Sequence, residues 1–353
     1  MSRSTNPQAD ALASIDPALR ELIEMHTYRR PCGSATEAAF IAKWIDVLPG
    51  VYKDDMGNRI GIIGDDPATL WSSHTDTVHR VDGMQTLAVG DNLLTLGTKG
   101  DTPSKSNCLG ADCTVGVWLM RQMYINKVPG LYIWHHGEEV GGLGSKYIAD
   151  CTPELLSGIN AAVAFDRRGY TSVITHQFGE RTASDAFAKS LAAQLSIDWD
   201  GSEWELDDAG VFTDTANYSS IIPECTNISV GYTNEHSVRE ALNLDHAYSL
   251  LLQLLDIDDT QFIIMRDPSV IEYGDWAVGK SWFQSNTNPY SSYGDPYEIA
   301  ERNDLREDPL LALVKNHPQE IVEILTACGF TYEEVRRCVL ESVYGDYDKT
   351  NSY

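Results

Sequence analysis

Apolar residues recur at helical spacing from Pro17 to about His26 and again from Ala35 to Leu48, with Ser34 placed to cap the second run. The chain is therefore predicted to open on two helices. The segment VYKDDMGNRIGIIG reads as a hairpin around Met56-Gly57-Asn58, and ATLWSS is a short apolar run of buried-strand type that ends on His74. The motif CLGADCTVG leads into the periodic stretch VGVWLMRQMYI, which puts Asp112 in a loop at a helix entrance. LYIWHH reads as a strand ending before Gly137-Glu138-Glu139, with a Gly-rich turn and a helix from about Leu143 to Ala149 behind it. AAVAF is another buried strand and ends on Asp166. TSVITHQ is predicted as the next strand, ASDAFAKSLAAQL as an amphipathic helix, TNISVGY as a strand ending near His236, and DHAYSLLLQLL as a closing helix.

Strands alternating with helices predict a three-layer α/β/α domain around a mixed, mostly parallel sheet, a class in which ligands gather at the carboxyl ends of the strands. His74, Glu138, Glu139, Asp166 and His236 each follow an apolar strand-like run, where a buried scaffold presents side chains to a cleft. After about Asp267 the composition turns rich in Tyr, Ser, Asn, Gly and Asp, as in SWFQSNTNPYSSYGDPYE. The expected organisation is a catalytic domain over 1–266, an irregular linker over 267–307 and a small helical module over 308–353. The periodicity of that module is interrupted by Pro318 and Gly329.

Composition narrows the partners. The 353 residues, 42% hydrophobic, suffice for one large domain and a smaller appendage. Lys and Arg total 26 against 52 Asp and Glu, a formal net charge of -26, which argues against nucleic acid and anionic membrane surfaces as partners. Most of this acidity serves solvation. The cysteines, Cys32, Cys108, Cys113, Cys151, Cys225, Cys328 and Cys338, are odd in number and form no CxxC pair, so neither a disulfide framework nor a thiolate zinc site is expected. The N-terminal MSRSTNPQADALAS lacks the apolar core of a signal peptide, and no stretch reaches the length of a membrane span, so a soluble cytoplasmic protein is expected.

The polar residues at the strand ends carry the chemistry. His74-Thr75-Asp76 places an imidazole and a carboxylate on one side of an extended chain, which suits a metal ligand and the carboxylate that orients it. Adjacent Glu138 and Glu139 after a buried strand repel unless something positive compensates, as a metal does. One of the pair then binds metal while its neighbour takes a proton from activated water. Asp112, Asp166 and His236 complete a nitrogen and oxygen donor set that exceeds the needs of one zinc ion and suits two sharing a carboxylate. Tyr218 and Tyr232 are candidate oxyanion donors, Arg167 and Arg168 candidates for holding a substrate carboxylate or neutralising the acidic site, and Asp214 for a substrate ammonium or a turn cap. His79, His135, His136 and His176 read as ordinary hydrogen-bonded histidines.

The ordered segments HTD, LGAD, GEEVGGLGS, FDRRG and NEHS, within roughly residues 17–256, resemble the motifs of co-catalytic zinc peptidases of the M28 and M20 clan. The resemblance implies that Asp112 bridges two zinc ions, with cobalt or manganese as possible substitutes. It gives His74 and Asp166 to one ion, Glu139 and His236 to the other, and Glu138 the role of general base. It also implies a cis peptide after Asp112, although Cys113 stands where many relatives carry a second Asp. The chain between Asp166 and His236 is too short for the satellite dimerisation domain of M20 enzymes, so the compact M28-like architecture fits. The implied reaction is hydrolysis of a peptide or amide bond at a chain end by an aminopeptidase. The alternatives are an N-acyl amino-acid amidohydrolase or a carboxypeptidase on the same site, or a noncatalytic binding protein on this scaffold.

Overall fold

The computed structural model describes residues 16–272 apart from 100, 101, 104 and 196–200. The helical module expected over 308–353 and all but the first residues of the linker lie outside the described residues. Six α-helices run over Pro17–Met25 (α1), Ala35–Trp44 (α2), Ala111–Ile125 (α3), Leu143–Cys151 (α4), Asp185–Leu195 (α5) and Leu244–Leu255 (α6). Local chemistry fixes their starts. Asp16 accepts from Ala18 N at 2.8 Å ahead of Pro17, Ser34 Oγ accepts from Glu37 N at 3.1 Å, and Asn243 accepts from His246 N at 3.0 Å.

The strands that build the domain are Tyr52–Lys53 (β1), Arg59–Ile63 (β2), Thr69–His74 (β3), Leu87–Gly90 (β4), Leu93–Leu96 (β5), Gly130–His135 (β6), Ala161–Arg167 (β7), Ser172–Ile174 (β8), Glu205–Asp207 (β9), Glu224–Ser229 (β10), Tyr232–Thr233 (β11) and Ala241–Asn243 (β12). The central sheet has the order β9-β8-β10-β7-β3-β6-β2-β1. Its middle strands β10, β7, β3 and β6 are parallel, while β2 and β8 join antiparallel on either side. The expected mixed, mostly parallel sheet is present.

Because side chains alternate across a strand, each central strand feeds two cores. Trp71 of β3, Tyr132 and Trp134 of β6, and Val163 and Phe165 of β7 face the larger core, which α1, α2, α3, α5 and α6 cover. Leu70, Leu131, Ile133 and Ala162 point the other way, toward Ile148 of α4 and Tyr218, Ile222 and Cys225. The near-continuous apolar runs of β3, β6 and β7 follow from this burial on both faces.

Three details differ from the sequence expectation. TSVITHQ is not one strand: β8 stops at Ile174, Thr175 N donates to Asp207 O at 2.9 Å, and His176–Gln177 pairs with Glu180–Arg181 in a separate ladder. TNISVGY divides at Gly231, so His236 follows the short strand β11 in a second sheet. That sheet, β11-β12-β5-β4, is antiparallel, and its strands β4 and β5 lie in half-exposed chain that carries little hydrophobic signal. Among the described residues no helix is long and apolar enough to cross a membrane.

Candidate metal centre

The parallel strands deliver their last residues to one edge of the sheet. His74 ends β3, Asp166 is the penultimate residue of β7, and Glu138 and Glu139 follow β6. Asp112 comes from the first turn of α3, where Gly110 takes a left-handed φ of 75° and a Cβ would come within 2.7 Å of His79. The Asp112–Cys113 peptide is cis. His236 arrives on a turn in which it and Asn234 both have left-handed φ, 59° and 55°.

These side chains converge on Asp112. His74 Nε2 lies 3.1 Å from Asp112 Oδ1 and 3.3 Å from Asp166 Oδ1, and His236 Nε2 lies 3.1 Å from Asp112 Oδ2 and 3.4 Å from Glu139 Oε1. The Asp112 carboxylate thus stands between two halves, His74 with Asp166 and His236 with Glu139. Cys113 is buried with its thiol donating to Phe165 O at 3.1 Å.

Supporting groups fix the orientations. Asp76, fully buried, faces His74 Nδ1 at 3.4 Å, and its two carboxylate oxygens accept Glu138 N at 3.1 Å and Glu139 N at 3.2 Å. It therefore ties the paired glutamates to the histidine strand. Thr213 Oγ1 donates to Asp166 Oδ2 at 2.7 Å, Asn227 Oδ1 accepts from Asp166 N at 2.9 Å, and Tyr232 Oη donates to Asp166 O at 3.1 Å. Glu240, 1% exposed, accepts the backbone N–H groups of Leu109, Gly110, Ala111 and Asp112 at 2.9, 2.9, 2.8 and 3.2 Å. Thr213, Asn227 and Glu240 were not legible in the sequence. None belongs to a spaced motif, and Glu240 is a single carboxylate between a turn and a short strand.

The electrostatics follow from this crowding of buried carboxylates. Burial drives the Glu138 carboxyl well above the usual range, and burial with the nearby Asp112 raises Glu139 and lifts Asp166 to about 8. Asp112 and Glu139, whose oxygens face its Nε2 at 3.1 and 3.4 Å, push His236 up to about 11. Crowded buried carboxylates raise one another's proton affinity, and a bound cation would relieve that crowding. Glu139 Oε1 is buried and makes no hydrogen bond, and His74, Asp112 and Glu139 place donor atoms within 4.8 Å of one another. The donor set of two imidazoles and three carboxylates fits divalent metal of the zinc type.

A cleft of about 360 Å³ opens over this cluster, and Glu138, Arg167, Arg168 and Tyr232 line it with the ligand-type residues. Its other wall includes Ile174, Val211 and Phe212. Both arginines are paired, Arg167 with Asp207 at 2.9 Å and Arg168 with Glu235 at 2.7 Å. Asp214 and Tyr218 do not reach the cleft, in contrast to the sequence expectation. The one-turn 3-10 helix Asp214–Tyr218 turns both inward, where Ser145 Oγ donates to Asp214 at 2.5 Å, and His135 lies 3.3 Å from Asp214 and 2.7 Å from Tyr218 Oη. His79 and His176 are likewise bound to neighbouring polar groups.

No protein-family model matches the chain, and no curated protein does. Among solved structures it is similar to aminopeptidase PepT from Bacillus cereus, at 15% identity and a TM-score of 0.50 over 67% of this chain and 96% of that one. A tripeptidase from Staphylococcus aureus is 15% identical with a TM-score of 0.52, over 69% and 97% of the two chains. A TET aminopeptidase from a marine-sediment Thaumarchaeota archaeon is 11% identical with a TM-score of 0.50, over 70% and 99%. At such identities the likeness is one of fold, and the three-layer α/β/α architecture is common to all.

Proposed function

We propose that the chain is a metal-dependent aminopeptidase of the M28-like, satellite-free kind, with two zinc ions held by His74, Asp112, Glu139, Asp166 and His236. The observation that carries this reading is the convergence of His74 and His236 on the two oxygens of Asp112, with Asp166 beside the first histidine, Glu139 beside the second and Glu138 in the same open cleft. A zinc pair would polarise the scissile carbonyl and acidify water. Glu138, whose buried carboxyl has a raised proton affinity, takes the proton from the attacking water and returns it to the leaving amine. Asp76 holds the backbone of Glu138 and Glu139 in register with His74, and Thr213 and Asn227 hold Asp166.

The cleft favours an amine end over a carboxylate end. Asp112, Glu138, Glu139, Asp166 and Glu235 line it, while the charges of Arg167 and Arg168 are already matched by Asp207 and Glu235. A peptide carboxylate would have to displace one of these pairs. Ile174, Val211 and Phe212 give the adjoining side chain an apolar wall. The acidic protein with its free described cysteines suits a reducing cytoplasm and a peptide substrate.

Glu138→Gln tests the mechanism. Both metals should stay bound by elemental analysis, while turnover of aminoacyl-anilides falls at least about a hundredfold, the lower range for general-base contributions. Retained turnover would overturn the role of Glu138. Cleavage of N-acetyl amino acids with aminoacyl-anilides left untouched would overturn the aminopeptidase reading.

A further inference from the structure

A second chemical cluster lies behind the glutamate loop. His136, the residue that follows β6, has its ring between Cys32, in the turn before α2, and Glu37, in the first turn of α2: Nε2 is 3.8 Å from Cys32 Sγ and Nδ1 is 3.8 Å from Glu37 Oε1. Glu37 is fixed by Gly33 N at 2.6 Å and Thr75 Oγ1 at 2.7 Å, and is 3% exposed. The backbone of His136 is pinned by Asn58 Oδ1 at 2.9 Å. Gly57 backs the ring, since a Cβ there would approach His136 Cγ to 3.3 Å. Cys32 is half-buried, not sealed in the core as Cys108, Cys113 and Cys225 are.

Thiol, imidazole and carboxylate are also metal-ligand types, and their donor atoms lie within 4.8 Å of one another. The order of the side chains favours another use. The histidine turns Nε2 to the sulfur and Nδ1 to the Glu37 carboxylate, which Gly33 and Thr75 hold in place, and this is the order of a nucleophile, its imidazole and an acid.

We propose that Cys32, His136 and Glu37 form a nucleophilic thiol centre, separate from the metal cluster, that takes small soft electrophiles at Cys32. Cys32 and Glu37 push the pKa of His136 up to about 10, so its ring carries positive charge beside the sulfur at neutral pH. That charge stands 3.8 Å from the sulfur as it attacks. With iodoacetamide the sulfur forms a bond to the methylene carbon, the carbon–iodine bond breaks, iodide leaves with its electron pair, and the thiol proton goes to solvent.

The test is competitive labelling of the full-length, metal-loaded protein by limiting iodoacetamide at neutral pH, read by peptide mass spectrometry. Cys151 is the internal control, being more exposed and lying outside any such cluster. Cys32 should be labelled at least about tenfold faster than Cys151 despite its lower exposure. In His136→Gln, checked for an unchanged thermal transition, that advantage should disappear. Labelling of Cys32 no faster than Cys151 in the unaltered protein overturns the proposal without any variant, and so does an unchanged Cys32 rate in His136→Gln. Neither readout involves peptide hydrolysis, so the result is independent of the peptidase reading.

Discussion

Replacing Glu240 by alanine removes the shared acceptor of four consecutive backbone N–H groups, those of residues 109–112, in a site where the side chain is 1% exposed. Each hydrogen bond to a charged acceptor contributes about 1.5–3 kcal/mol, and a buried donor left alone is penalised by a similar amount. Water entering the space left by the side chain would satisfy some of these donors, so the net loss should be about 3–5 kcal/mol, the range for breaking a buried charged network. For a domain of this size that lowers the melting temperature by roughly 10 °C. The effect should not stop at stability, because the released segment carries Asp112, on which both histidines converge. Thermal melting with elemental analysis of the same sample measures both, and Glu240→Gln, which keeps one acceptor oxygen, should fall between the parent and Glu240→Ala. A Glu240→Ala protein that melts within about 2 °C of the parent and holds its full metal content would refute the reasoning.

Removal of metal with a chelator should abolish aminoacyl-anilide hydrolysis and lower the melting temperature, since Asp112, Glu139 and Asp166 are then left facing one another. Added zinc should restore both, and activity that survives verified metal removal rules the centre out. Gly116→Ala would drive a Cβ into the Phe165 carbonyl oxygen, where α3 crosses the end of β7, and should destabilise by about 1–3 kcal/mol in urea unfolding. Burial of His26, whose Nδ1 is 2.8 Å from Leu22 O, lowers its pKa from 6.5 to about 3. The unfolded chain therefore takes up this proton first, and stability is lost as pH falls below about 6.5, by up to about 1.4 kcal/mol per unit until the folded pKa is reached. His26→Gln should flatten the dependence of the urea midpoint on pH between 7 and 5, and an unchanged slope would refute the assignment.

The parts of the fold legible in the sequence are those where one physical signal dominates. The apolar runs before His74, Glu138 and Asp166 are buried on both faces of the sheet, and they appear as β3, β6 and β7 within a residue or two of their expected ends. The helix starts at Ser34 and Pro17 are set by local capping and were equally plain. The small sheet containing β4 and β5 was missed because its strands are short and half exposed, so neither alternation nor a long apolar run marks them. Asp214 and Tyr218 were misplaced for a different reason. Their segment is polar, but a 3-10 turn points them inward, where Tyr218 Oη meets His135 and one Asp214 oxygen accepts from Ser145. Glu240 gave no signal, since its partners are backbone groups distant in sequence.

The Glu240 cradle also sets an order of events during synthesis. His74, Asp112, Glu139 and Asp166 have all left the ribosome before the acceptor that shapes the Asp112 segment is made, and His236 comes only a few residues ahead of it. A nascent chain halted before residue 240 would carry most of these side chains without the anchor that aims Asp112, so the Asp112 segment can take its shape only once this part of the domain has been made.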